Sequence, residues 1–286
     1  MSSAIVVYSR MIKLSHTIFA MPFALAAAVL AARQVDWTWS QIALIVVCMV
    51  TARSSAMGFN RVVDRDIDAK NPRTAIREIP AGQISVAAAW GFTLASAALF
   101  VAASAALGRS TLLLSPVAIA VVWGYSLTKR FTALCHAVLG LALALAPTGV
   151  WIALTDGYGA VPLLLSLAVG TWVAGFDILY SCQDEAFDRE QGLNSIPTAL
   201  GLRNAMIVSA VLHLGTMAVL GALPFVVPLG WPYAIGWIVI GGVLAYEHWI
   251  VRPDDLSRID KAFFDLNGYV SLLFFGFVAW GSWVAA

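Results

Sequence analysis

Charge is scarce in this sequence. Asp, Glu, Lys and Arg together make up 12% of its 286 residues, about half the share found in an ordinary soluble domain. That scarcity excludes a water-exposed globular surface of the usual kind. Strand-type alternation with a period of two is missing throughout, which excludes a membrane barrel and leaves helices. Cysteine is rare as well. Cys48, Cys135 and Cys182 all fall within or at the ends of apolar runs, so they form neither a disulfide framework nor a metal-binding spacing and read as small buried residues. The formal net charge is +1. Total charge therefore says nothing about partners, and no nucleic-acid partner is expected.

What is abundant is apolar sequence, 60% of the chain. A bilayer core needs about 20 apolar residues per helix. Nine runs meet that need: 14–32, 38–59, 84–107, 111–127, 133–154, 161–182, 205–223, 230–250 and 263–285. Pro224, Pro228 and Pro232 separate the seventh from the eighth, where the boundary is least sharp. With a cytoplasmic N-terminus, Arg33 and Arg109 are the only basic residues on the far side and Arg53 lies inside span two. The other fourteen of the seventeen Lys and Arg fall in the cytoplasmic tail and loops, as the positive-inside rule requires. The first run follows Arg10 and Lys13 but lacks a small-residue cleavage site, so it is expected to be retained. The expected fold is thus an all-α membrane protein, a bundle of nine transmembrane helices with the N-terminus cytoplasmic, forming one domain over residues 1–286.

The densest cluster of charge is Asn60-Arg61-Val62-Val63-Asp64-Arg65-Asp66-Ile67-Asp68, directly after an apolar run. Asn60, Asp64 and Asp68 are spaced i, i+4, i+8. Each step of four residues turns a helix by about 40° and climbs about 6 Å, so the three side chains share a stripe. Asp66 falls on roughly the opposite face. Three oxygen donors on one stripe suit a hard cation such as Mg²⁺. Taken alone, the stretch reads first as a solvated helix end leaving the membrane.

A second copy of the arrangement weakens that bland reading. Asp177, Asp184 and Asp188 occupy i, i+7 and i+11 about 120 residues further on, with Tyr180 beside them. Asp177 lies inside an apolar run, where an unpaired carboxylate is costly. Gly192-Leu193-Asn194-Ser195-Ile196-Pro197-Thr198-Ala199 weakly echoes Asn71-Pro72-Arg73-Thr74-Ala75 after the first motif, which hints at an internal duplication. Face to face, the two stripes would hold two divalent cations around a diphosphate, with nearby Lys and Arg neutralising the remainder. Arg53 lies seven residues before Asn60, deeper on about the same face, and serves either a substrate pocket or a structural ion pair. Lys70, Arg73 and Arg77 meet an anionic substrate or simply fix topology. His16 and His136 read as hydrogen-bonded interfacial histidines.

At these motifs the sequence resembles the UbiA-type intramembrane prenyltransferases, across essentially the whole chain. Asn60-x-x-x-Asp64-x-x-x-Asp68 fits the family's first motif and Asp177-x-x-Tyr180-x-x-x-Asp184-x-x-x-Asp188 its second. Tyr125 with Lys129-Arg130 is similar to the family's cation-bearing end of span four, and the runs Lys13 to Ala24, Asp177 to Asp184 and Lys261 to Asn267 are similar to the 4-hydroxybenzoate branch, some of whose members use a hydroxynaphthoate for menaquinone. The resemblance implies Mg²⁺-dependent transfer of a polyprenyl group from its diphosphate to an aromatic acid, in a bacterial inner membrane with the site toward the cytoplasm. It implies metal contacts from Asn60, Asp64, Asp68, Asp184 and Asp188, diphosphate contacts from Arg73, Arg77 and Lys129, and an acceptor side lined by Asp177, Tyr180 and Arg53. An ion-coupled transporter is the alternative from a different class, since it too uses intramembrane carboxylates. Against it, most carboxylates here cluster at one membrane face.

Overall fold

A computed structural model of the chain describes residues 4–12 and 21–286. His16, Lys13 and most of the N-terminal run that carries part of the resemblance lie outside the described residues. Among the described residues there is no strand, and the chain runs through thirteen α-helices. These are α1 (Ala4–Met11), α2 (Met21–Ala31), α3 (Trp39–Val63), α4 (Arg65–Lys70), α5 (Val86–Leu107), α6 (Arg109–Thr128) and α7 (Cys135–Thr155). They continue with α8 (Ala160–Ser181), α9 (Glu185–Glu190), α10 (Ile196–Leu200), α11 (Leu202–Ala222), α12 (Trp231–Ile250) and α13 (Asn267–Val284).

Among the described residues, seven helices are long and apolar enough to cross a bilayer: Trp39–Val63, Val86–Leu107, Arg109–Thr128, Cys135–Thr155, Ala160–Glu190, Leu202–Phe225 and Lys261–Val284. The protein is accordingly a multi-pass, all-α membrane protein. The two other expected spans differ for separate reasons. The run 14–32 is represented by α2, which is apolar but only 11 residues long, the rest being outside the described residues. The run 230–250 is helical as α12, with 20 residues, but Trp231, Pro232, Tyr233, Glu247 and His248 dilute its apolar character.

The helices fall into two compact units. One contains Thr38–Leu127 together with α1. Its longest helix, α3, starts at a capping box, in which Thr38 accepts from the Gln41 amide and Gln41 Oε1 accepts from the Thr38 amide, satisfying two donors that a helix end leaves open. α3 packs along α5, and Ser55 Oγ donates to the Thr93 carbonyl at 3.1 Å. Trp123 on α6 donates to Ser55 Oγ at 2.9 Å and its ring stacks on Phe59 at 4.9 Å. Met11, Val62, Ile79, Ile84 and Ala89 form a buried apolar plug under the loop that follows α4.

The other unit contains Thr128–Ala286 together with α2. Here α7, α8 and α11 are set side by side at glycine contacts. A Cβ on Gly140 would lie 2.3 Å from the Gly170 carbonyl, and one on Gly175 would lie 2.4 Å from the His213 ring. Such small residues let helices approach closely where no hydrophobic effect drives them together in lipid. α2 rests on α7 and α13, with Phe23 stacked on Phe274 at 4.4 Å. A buried polar chain crosses the unit. Trp172 Nε1 donates to Asn267 Oδ1 at 2.7 Å, and Asn267 Nδ2 donates to Glu247 Oε1 at 3.0 Å. α13 is preceded by a π turn over Lys261–Leu266.

Candidate active site

The first motif sits where α3 gives way to α4. Asp64 is the hinge, with φ −94° and ψ 1°, in the sparsely populated region where many active-site residues are found. The i→i+4 backbone bonds nevertheless carry through the break, from Asp64 N to Asn60 O at 3.0 Å and from Asp68 N to Asp64 O at 2.7 Å. The stripe is therefore kept although the helix is interrupted. Asn60 Nδ2 donates to Asp64 Oδ2 at 2.8 Å and to Ser126 Oγ at 3.4 Å. Asp66 is turned away: its side chain is 79% exposed and pairs with Arg65 at 3.5 Å.

The cations around this stripe are unequal. Arg77 Nη1 donates to both oxygens of the buried Asp68, at 2.7 and 2.8 Å. The loop between them folds back on α4 because Thr74 Oγ1 donates to the Asp68 carbonyl at 3.0 Å. Arg73 is exposed on that loop, and its amide donates to Asn71 Oδ1. Arg53 lies about two turns before Asn60 on α3, within electrostatic range of Tyr125. Arg61, which the sequence reading took only as a topology determinant, is buried, and its Nη1 donates to Asn60 Oδ1 at 3.1 Å. A buried arginine against an asparagine of the motif is a site residue by position. Its charge beside Asn60 was the available signal.

The second motif repeats the break with a tighter turn. α8 ends at Ser181, a 3₁₀ turn covers Cys182–Asp184, and α9 begins at Glu185. Sequence periodicity predicts one continuous face here; the 3₁₀ turn, with its i→i+3 bonding, replaces it. Asp184 has φ −98° and ψ 1°. Asp188 is fully buried, and Lys129 Nζ stands 2.7 Å from its Oδ1. Neither Asp188 oxygen has a hydrogen bond of good geometry. Glu185 pairs with Arg189 on the outer side of α9. Tyr180 stacks on Phe263 of the π turn, with ring centres 3.9 Å apart and an interplanar angle of 27°.

Asp177 meets His136, whose Nδ1 lies 2.7 Å from Asp177 Oδ2. His136 is thus a hydrogen-bonded histidine as expected, but its partner is one of the site carboxylates. Nothing local in the sequence links residue 136 to residue 177, so this pairing was not legible there.

The donors suit a hard divalent cation. Mg²⁺ favours carboxylate oxygens and usually takes one or two of them together with substrate phosphates and water, rather than a full protein cage. Among the described residues no group of three or more His, Cys, Asp or Glu could hold an ion without such help. Asn60, Asp64 and Asp68 offer a partial donor set within one unit, and Asp184 and Asp188 offer another within the other. The unused hydrogen-bonding capacity of the buried Asp188 carboxylate fits it directly.

The pattern of the UbiA prenyltransferase family matches residues 20–275. A 4-hydroxybenzoate octaprenyltransferase from Salmonella paratyphi B is 27% identical over 242 residues, spanning 85% of this chain and 83% of that protein. The apo structure of a UbiA homolog from Aeropyrum pernix superposes with a TM-score of 0.84 at 32% identity, over 92% of this chain and 96% of the other. A UbiA homolog from Archaeoglobus fulgidus, solved with GPP and Mg²⁺, shares the fold with a TM-score of 0.75 at 19% identity, over 95% and 98% of the two chains.

Proposed function

Because the chain belongs to the UbiA prenyltransferase family, we propose that this prenyltransferase moves a polyprenyl group from its diphosphate onto 4-hydroxybenzoate in ubiquinone synthesis. The observation that carries the reading is the pair of carboxylate motifs, each broken at an aspartate in the same backbone conformation and each with a cation on its last carboxylate. The likeness to the Salmonella 4-hydroxybenzoate octaprenyltransferase supports the acceptor. Prenylation of a hydroxynaphthoate for menaquinone is the second reading, because some members of the 4-hydroxybenzoate-like branch that the sequence resembles use that acceptor. Ion-coupled transport finds no support in the relatives.

In this reading Asn60, Asp64 and Asp68 hold one Mg²⁺ and Asp184 and Asp188 another, each against the substrate diphosphate. When bound, the metal neutralises charge on the diphosphate and makes it a better leaving group. Arg77, Lys129 and Arg73 add cationic contacts, so that charge developing on the leaving group meets fixed positive groups. Asp177, Tyr180 and Arg53 face the acceptor, with Arg53 matching an aromatic carboxylate. The apolar helices solvate the prenyl tail and keep water from the allylic cation. We assign the whole chain to one catalytic domain of nine spans in a bacterial inner membrane, N-terminus and active site toward the cytoplasm. The charge asymmetry of the loops supports that orientation.

The test is a parallel assay of purified protein with Mg²⁺ and labelled polyprenyl diphosphate, offering 4-hydroxybenzoate in one arm and a dihydroxynaphthoate in the other. Product from the benzoate alone is expected. Product from the naphthoate alone moves the enzyme to the menaquinone pathway.

A further inference from the structure

The proposal of an aromatic acceptor leaves open which group takes the ring proton and what holds that group. We propose that His136 is a positioning residue that fixes Asp177 as the carboxylate receiving this proton. The inference rests on the prenyl-transfer reading above and deepens it.

The hydrogen bonds define the histidine's tautomer. The Ile196 backbone amide donates to His136 Nε2 at 3.3 Å. An amide nitrogen donates and does not accept, so Nε2 presents a lone pair and the single imidazole proton is on Nδ1. That proton points at Asp177 Oδ2, 2.7 Å away. His136 thus donates to Asp177 from Nδ1 and has both ring nitrogens engaged, so neither is open to the ring proton.

The backbone that sets this tautomer is braced. Ser195 and Thr198 form a capping box at the start of α10, with the Ser195 amide donating to Thr198 Oγ1 at 2.8 Å. The Asn194 amide donates to the Lys129 carbonyl at 2.8 Å, and Cys135 Sγ donates to the Asn194 carbonyl at 3.5 Å. Asn194 and Ile196 thus tie Lys129 and the start of α7 to the segment after α9. The side chain of His136 is 4% exposed while that of Asp177 is 24% exposed. The histidine is locked, and the carboxylate retains an open oxygen, Oδ1.

The other site carboxylates differ in kind. Arg77 engages Asp68 and Lys129 engages Asp188. Asp177 is held instead by His136 at Oδ2, and its side chain is partly exposed. Of these three carboxylates it is the one that neither a Lys nor an Arg occupies. In the reaction the allylic C–O bond breaks with its electron pair going to the diphosphate. A ring carbon then bonds the allylic carbon. The proton on that ring carbon passes to Asp177 Oδ1, and the C–H electron pair restores aromaticity. His136 keeps its proton throughout.

The experiment uses the full chain with Mg²⁺, polyprenyl diphosphate and 4-hydroxybenzoate carrying deuterium at the ring positions that react. Wild type is expected to show no isotope effect on product formation. His136→Leu is expected to lower product formation by about 100-fold, the usual contribution of a positioned base, and to reveal a normal deuterium effect. Its KM for the diphosphate stays unchanged, and diphosphate release is diverted to prenyl alcohol. His136→Asn, whose amide N–H takes the place of Nδ1–H, should recover product and suppress the isotope effect. Asp177→Asn should reproduce the isotope effect of His136→Leu, and it decides the matter should the leucine variant not fold. An Asp177→Asn enzyme with wild-type rate and no isotope effect overturns the proposal. So does a slow His136→Leu enzyme without an isotope effect. Absence of product from the wild type refutes the acceptor reading instead.

Discussion

Asp64 and Asp184 share one backbone conformation, φ −94° and ψ 1° against φ −98° and ψ 1°. Each opens a six-residue helix, Arg65–Lys70 or Glu185–Glu190, that carries the next aspartate of its motif; Asp64 follows α3 directly, whereas Asp184 ends the 3₁₀ turn after α8. The match gives physical content to the echo between the two halves of the sequence.

From this equivalence, Asp64→Ala and Asp184→Ala should each abolish prenyl transfer while leaving the protein folded in the membrane. Both are to be scored for transfer activity and for elution as a monodisperse species in detergent. Full activity in either variant would falsify its assignment as a metal ligand.

Asp66 supplies the internal control. Its exposed side chain pairs only with neighbouring Arg65, and exposed pairs of this type contribute little. Asp66→Ala should retain most of the activity that Asp64→Ala loses. Equal loss at the two positions would defeat the argument from helical faces.

The motif stripe and the all-helical class were legible in the sequence because they depend on local spacing. Asn60 does reach Asp64 one turn on, and Asp66 does point away. What periodicity could not show were contacts between residues distant in sequence. His136 with Asp177, Lys129 with Asp188 and Asn194 with Lys129 all join separate helices. The interruption at Cys182–Asp184 was invisible for another reason: no proline or glycine marks it, so the spacing of Asp177, Asp184 and Asp188 reads as one unbroken helix.

Arg77 and Lys129 each occupy a carboxylate, Asp68 and Asp188. Arg77→Gln and Lys129→Gln should raise KM for the prenyl diphosphate by at least about tenfold, since a hydrogen bond to a charged group contributes about 1.5–3 kcal/mol. KM for the aromatic acceptor should move far less. Steady-state kinetics with each substrate varied in turn will separate the two effects; a shift confined to the acceptor contradicts the diphosphate role.

Asn267 joins Trp172 to Glu247 in a fully buried position. Asn267→Leu would strand an indole N–H and a carboxylate oxygen, at a cost of about 1–3 kcal/mol for each group. A lowered thermal unfolding midpoint in detergent is expected. An unchanged midpoint would show that the polar chain contributes nothing to the stability of this unit.

The most direct test of the whole account is the stoichiometry of one reaction. Purified protein is given polyprenyl diphosphate and 4-hydroxybenzoate with Mg²⁺, then with EDTA, and released diphosphate and prenylated acid are counted together. The account predicts equal amounts of the two, both lost on chelation and both lost in Asp64→Ala. Formation of prenylated acid that persists undiminished in EDTA and in Asp64→Ala would contradict it.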